Sequence, residues 1–300
     1  MNIIEIMKRW PTQEAAIAHL EQVRWAGRPV CPYCNSDKTC VHASKDKKLP
    51  RWQCQDCHRA FSVTVGTIFH HSHLPLQTWF LAIAIMLNAK KGVSNAQLAR
   101  DLDLPYKTAW SLALRIRTAM ATDPEQNRLF HGIVEVDETY VGGKPRKGNL
   151  KGDRTGKAPR GRATKKLPIV GIVERHGRAV AKAFDGVPLN YKNLSKFIRE
   201  RVDLRNAMVM TDEYPAYSPL RRETQHFAVD HRAAYAVGDT HTNTVEGFWA
   251  LIKRSWYGQH HHYSRKYADL YVSETAFKYN NRSNPGVFGD LVRHMVRAPA

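Results

Sequence analysis

The chain is 300 residues long, room for about two or three domains. Hydrophobic residues make up 43% and charged residues 24%, proportions that exclude wholesale disorder, collagen and coiled coil. Its 46 Lys and Arg exceed its 27 Asp and Glu, giving +19, the electrostatic footprint of a polyanionic partner, usually nucleic acid.

The longest apolar run, Trp79 to Leu87, is nine residues, far short of the ~20 that a membrane span needs. The N-terminal residues lack the basic, apolar and small-residue regions of a signal peptide. A cytoplasmic location without membrane contact is therefore expected. Thr12 to Val23 has Ala16, Ile17, Leu20 and Val23 at helical spacing, so residues 1–24 are predicted as an N-terminal amphipathic helix.

Five cysteines follow: Cys31, Cys34, Cys40, Cys54 and Cys57. Four form two C-x2-C pairs, Cys31/Cys34 and Cys54/Cys57, with nineteen residues between them, a zinc-site spacing. Each pair offers two thiolates to one tetrahedral Zn²⁺, and four protein ligands leave no open position for catalysis. Disulfides are the competing reading, but they suit an oxidising compartment. Cys40 is left over, and His58, directly after Cys57, is the alternative ligand. Residues 25–74 are expected to form a zinc ribbon holding a structural Zn²⁺. Its middle is basic, with Lys38, Lys45, Lys47, Lys48 and Arg51, and Phe61 to Val65 alternates as a strand.

Residues 75–125 read as helical. Leu76 to Ala89 is apolar on most faces, as in a buried helix. Ser94 stands three residues before Gln97, a capping-box pattern that opens a helix to Leu102. Asp103 to Pro105 interrupts it, and Tyr106 to Met120 resumes the helical period. Helix, short turn, helix is the helix-turn-helix pattern. The second helix of such a unit enters the major groove by its N-terminal residues. Tyr106, Lys107, Thr108, Ser111 and, further along, Arg115 are the candidate DNA contacts. A plain helical packing unit is the alternative.

From 126 to 300 the pattern becomes mixed α/β. Ile133–Val141, Leu167–Val173, Ala179–Phe184 and Ala207–Met210 read as strands, and Leu189–Val202 as a helix. Between the first two strands, residues 144–166 hold ten Lys and Arg against one Asp, with Gly and Pro and no apolar period. This is expected to be a long basic loop, with Lys144, Arg146, Lys147 and Lys151 as candidate phosphate contacts. A solvated linker is the alternative. In His241 to Arg254, Val245, Phe248, Leu251 and Ile252 share one helical side. Glu246 and Lys253, seven apart, share the other.

Strands carrying Asp137 and Asp212, with a helix presenting Glu246, make a carboxylate set suited to Mg²⁺. Two such ions activate a nucleophile and stabilise a leaving oxygen in phosphodiester displacement. The bland readings are strand-end caps for the aspartates and a capping box between Asn243 and Glu246. Glu135, Glu138, Glu213, Asp230 and Asp239 are rival acids.

Val136 to Lys144 (VDETYVGGK), Thr211 to Tyr217 (TDEYPAY) and His241 to Arg254 (HTNTVEGFWALIKR) resemble zinc-ribbon, DDE-type insertion-sequence transposases, the ISXO-two-like group. The likeness runs over nearly the whole chain. It implies an RNase-H-like catalytic domain that cuts and joins transposon ends. It implies Asp137, Asp212 and Glu246 as the three acids holding Mg²⁺ or Mn²⁺, and Lys253 as the family's basic residue seven positions on. The third acid is Glu or Asn among relatives. Double-stranded DNA, both transposon ends and target, is the implied partner, with at least a homodimer for synapsis and a nucleoid-associated location. The rivals are a sequence-specific DNA-binding regulator and a metal-dependent nuclease without strand transfer.

Overall fold

The computed structural model describes residues 1–42, 51–143, 164–229 and 241–297. The candidate contacts Lys144, Arg146, Lys147 and Lys151, and the rival acids Asp230 and Asp239, lie outside the described residues. The chain divides into two compact units. One is Met1–Asp123 with the stretch from Ser283 onward, and the other is Pro124–Arg282.

The first unit opens with α1 (Ile3–Arg9) and α2 (Gln13–Trp25). Thr12 caps α2, its side chain accepting the Ala15 N–H at 3.2 Å. Strands β1 (Thr39–His42), β2 (Arg51–Cys54) and β3 (Ala60–Phe61) form an antiparallel sheet in the order β1-β2-β3. Trp25 of α2 meets Trp52 and Phe61 of that sheet edge-on. The strand expected over Phe61 to Val65 stops at Phe61. There the Val65 N–H turns back to the Ser62 carbonyl, and the Val63 carbonyl accepts the Arg24 guanidinium at 2.6 Å. The ladder thus loses its partners to a turn.

Helices α3 (Leu76–Asn88), α4 (Asn95–Asp101) and α5 (Tyr106–Ala121) follow. The expected cap of α4 forms, Ser94 Oγ accepting the Gln97 N–H at 3.1 Å. Gln97 does not complete a capping box, because its side chain bonds Asp101 and Arg100.

The second unit is built on a five-stranded sheet. Its strands are β4 (Phe130–Val141), β5 (Leu167–Glu174), β6 (Ala179–Ala183), β7 (Val202–Asp212) and β8 (Gln225–Val229). Helix α6 (Tyr191–Arg199) joins β6 to β7, and α7 (Asn243–Arg254) and α8 (Ala268–Asn280) follow β8. The order is β6-β5-β4-β7-β8, with β4, β5 and β6 antiparallel and β4, β7 and β8 parallel. An antiparallel meander continued by parallel strands through a crossover helix is the RNase-H-like arrangement.

Period-two alternation along β4 assigns each side chain a face. Val134 and Val136 pack with Leu194, Phe197 and Ile198 of α6, and with Tyr217 and Leu220 of the 3-10 helix Pro215–Arg222. Val141, with Ile169 and Val173 of β5, packs with Val245, Phe248, Trp249 and Ile252 of α7 and Val272 of α8. The last helix, α9 (Val287–Arg297), packs with α2, α3 and α5 of the first unit. The sequence places it in the domain 126–300, whereas in the structure Phe288 of α9 stacks on Trp10 and meets Phe80 edge-on.

Candidate functional site

The four paired cysteines converge. Cys31 and Cys57 Sγ lie 3.6 Å apart, Cys34 and Cys54 Sγ 3.5 Å, and all four fall within 4.8 Å of one another. Each pair closes a matched turn, with the Asn35 N–H bonded to the Cys31 carbonyl and the His58 N–H to the Cys54 carbonyl. Asn35 and His58 both take φ of +60°, the left-handed residue that ends each knuckle. The Cys57 N–H approaches Cys54 Sγ, and this bond lowers the Cys54 thiol to about 6. Four soft donors in two knuckles fit a tetrahedral zinc ion. Neither His58 nor Cys40 belongs to the group, Cys40 being exposed on β1.

Asp137 and Glu138, in the second half of β4, and Asp212, the last residue of β7, bring carboxylate oxygens within 4.8 Å of one another. Asp137 points toward α7, where Trp249 Nε1 donates to its Oδ2 at 2.8 Å. Burial, with the charges of Glu138 and Asp212, pushes the Asp137 carboxyl up to about 7 against the pull of the Trp249 bond. Glu138 points the other way, and the buried Tyr217 hydroxyl donates to its Oε2 at 2.9 Å. Burial and the neighbouring carboxylates hold Tyr217 well above its ordinary range, so it stays a donor. Asp212 Oδ1 accepts the Tyr214 N–H at 3.0 Å, which starts the turn after β7. Three converging carboxylates, one with its charge suppressed, are a donor set for a hard divalent cation, which relieves their repulsion.

Glu246 and Lys253 sit on the exposed face of α7, as their seven-residue spacing requires, and Glu246 is outside the converging group. The alternative reading of a capping box between Asn243 and Glu246 does not hold. The N-cap of α7 is Thr242, with no side-chain cap bond. Two residues that shape the candidate site were not singled out by the sequence. Trp249 reads as one more core aromatic, and Glu135, at 0% side-chain exposure, as one more rival acid.

On α5, Tyr106, Lys107 and Ser111 are exposed and Thr108 is half-buried. Arg115 is engaged in its own unit: its guanidinium donates to the His70 carbonyl and lies 5.2 Å from the Trp79 ring centroid.

Residues 130–280 match the ISXO2-like transposase domain, and residues 11–60 match the transposase zinc-ribbon domain. The chain belongs to the ISXO2-like transposase family. An uncharacterized protein of the transposable element ISH50 from Halobacterium salinarum is 29% identical over 262 residues, 85% of this chain and 86% of that protein. Among solved structures, the Mos1 strand transfer complex shows 14% identity over 71% of this chain and 76% of that one, with a TM-score of 0.26. The mariner Mos1 paired end complex with Mg shows 15% identity over 70% and 75%, also at 0.26.

The ISXO2-like domain holds the whole carboxylate group, and the zinc-ribbon domain holds all four paired cysteines. Among the described residues, no helix is long and apolar enough to cross a membrane.

Proposed function

We propose that this transposase binds the inverted-repeat ends of its element as double-stranded DNA and cuts and joins strands at a divalent-cation site. One observation carries the reading: Asp137 and Asp212 converge from two neighbouring strands inside the family-matched domain. They would hold Mg²⁺ or Mn²⁺ with Glu138 beside them, and Glu246, outside that group in the structure, would complete the set from α7. A cation bound there supplies the charge that activates an attacking oxygen and stabilises a leaving one.

In the first displacement, water attacks phosphorus at the element's end, its proton passes to solvent, and a 3′-hydroxyl leaves. In the second, that 3′-hydroxyl attacks a target phosphodiester, and the target's own 3′-hydroxyl leaves. Trp249 holds Asp137, Tyr217 holds Glu138, and Lys253 contacts a phosphate near the cut. The zinc ribbon and the exposed N-terminal residues of α5 bind the ends. Lys144, Arg146, Lys147 and Lys151 neutralise backbone phosphate. Pairing two ends calls for at least a dimer.

The test is a duplex carrying one element end, incubated with the purified protein, MnCl2 and a plasmid target. Cutting at the end and joining to plasmid are expected, with both lost in Asp137→Asn while DNA binding persists. Binding without cutting makes the protein a regulator, and cutting without joining makes it a nuclease.

A further inference from the structure

Helix α7 has no cap of its own, yet its first N–H groups are satisfied from 109 and 110 residues away in sequence. Glu135 Oε2 accepts the Thr244 N–H at 2.8 Å and the Val245 N–H at 2.9 Å, while Oε1 accepts the Thr244 hydroxyl at 3.0 Å. A helix N-terminus leaves its first N–H groups without intrahelical partners and carries a partial positive charge, so a carboxylate placed there serves as a cap. This carboxylate comes from β4, two residues before Asp137 and on the same face. Arg175, in the turn after β5, fixes it. Its Nε donates to Glu135 Oε1 at 2.7 Å, and its Nη2 donates to the His241 carbonyl at 2.9 Å, on the chain entering α7. The Glu135 side chain is 0% exposed and that of Arg175 11%, so both charges depend on each other and on the helix end.

We propose that the buried Glu135–Arg175 pair is a positioning device that registers α7 against the strand of Asp137. β4 then grips α7 twice, at its N-terminus through Glu135 and midway through the bond from Trp249 to Asp137. Glu246 is one residue beyond the capped amides. The position from which Glu246 would reach the carboxylate group is therefore set by a residue outside that group. This rests on the function proposed above for the carboxylate group.

The test compares the full-length protein with Glu135→Gln and with the double variant Glu135→Gln/Arg175→Met. The double variant removes the uncompensated guanidinium and keeps the measurement open where the single variant fails to fold. The first readout is the MnCl2 concentration giving half-maximal cleavage of end DNA. The second is hydrogen exchange at the Thr244 and Val245 amides. A rise of about 10–100-fold in the half-maximal concentration is expected. It is accompanied by faster exchange at those two amides, with zinc content and DNA affinity unchanged. A loss of folded protein alone lowers the maximal rate but leaves the half-maximal concentration where it was. Wild-type half-maximal concentration and wild-type exchange in the folded variants overturn the proposal. If the wild type itself never cleaves, the carboxylate reading fails, and the amide exchange still decides whether Glu135 caps α7.

Discussion

Trp249 Nε1 donates to Asp137 Oδ2 at 2.8 Å, and the Trp249 ring lies against Gly171, the residue opposite Asp137 on β5. A Cβ built at Gly171 would stand 2.4 Å from the ring. The glycine therefore makes room for the indole that orients the acid. Trp249→Phe keeps most of the ring and removes the donor. Expected is a loss of about 10–100-fold in metal-dependent cleavage. Gly171→Ala overpacks the same spot, at a cost of about 1–3 kcal/mol by denaturant titration. Full cleavage by Trp249→Phe would leave the indole as core filling.

The Asp137 carboxyl is raised to about 7 from an ordinary 3.8, chiefly by burial. Between those values the folded chain keeps a proton that the unfolded chain has lost. Stability contributed at this position therefore falls as pH rises through that window and stays low above it. Asp137→Asn has no such dependence. With zinc present and no other divalent ion, the Asn variant is expected to be more stable than wild type at pH 8 by about 1–3 kcal/mol. The gap narrows toward pH 4, and MnCl2 raises the wild-type melting temperature selectively. Parallel melting curves across pH for the two proteins would remove the linkage.

The zinc quartet makes a separate forecast. Cys31→Ser or Cys54→Ser takes away a buried thiolate, so zinc content is expected to fall well below the ~1 ion per chain of the intact quartet. The ribbon then unfolds, and binding to element ends weakens. Cys40→Ser, on the exposed face of β1, is the matched control and keeps its zinc. Metal analysis finding no zinc in wild-type protein purified without chelator contradicts the assignment.

In the helical unit, two basic residues of α5 part company. Arg115 is tied to the His70 carbonyl and the Trp79 ring, so Arg115→Ala is expected to cost about 1–3 kcal/mol of stability. Lys107 is exposed near the start of α5, so Lys107→Ala changes stability by no more than about 0.5 kcal/mol. It is expected to weaken DNA binding all the same, measured by titration of labelled end and random duplexes. Equal DNA affinity for Lys107→Ala and wild type would mark the pair of helices as packing only.

What was legible in the sequence was local. Cysteine spacing marks the quartet, apolar alternation marks β4 and β5, and the 3.6-residue period separates Phe248 and Ile252 from Glu246 and Lys253. What was not legible depends on long-range register. Trp249 meets Asp137 across 112 positions, only because Gly171 is opposite that acid. Glu138 faces away from Asp137 along β4, so alternation argues against their sharing a site. Asp212, at the end of the neighbouring strand, lies within reach of both. Helix α9 carries its own helical period in Phe288, Leu291, Val292, Met295 and Val296, but the partners that period serves are the helices of residues 1–123, too far back in the chain for any window to register.

Lys253 is the remaining basic residue of the proposed chemistry. It lies one turn beyond Trp249, on the exposed side of α7. Seven positions from Glu246, it is too far along for an i,i+4 pair with that acid. The anchoring of Trp249 on Asp137 fixes the helix on which the ammonium rides. A phosphate of the bound strand is the partner that the proposed chemistry gives this ammonium. Lys253→Ala is expected to lower strand transfer about 10²-fold on pre-cut ends at saturating MnCl2, with zinc content and melting temperature unchanged. Lys253→Arg restores part of the rate, since the charge survives while its geometry changes. Equal transfer rates for wild type and Lys253→Ala would return this lysine to the solvated surface of the helix.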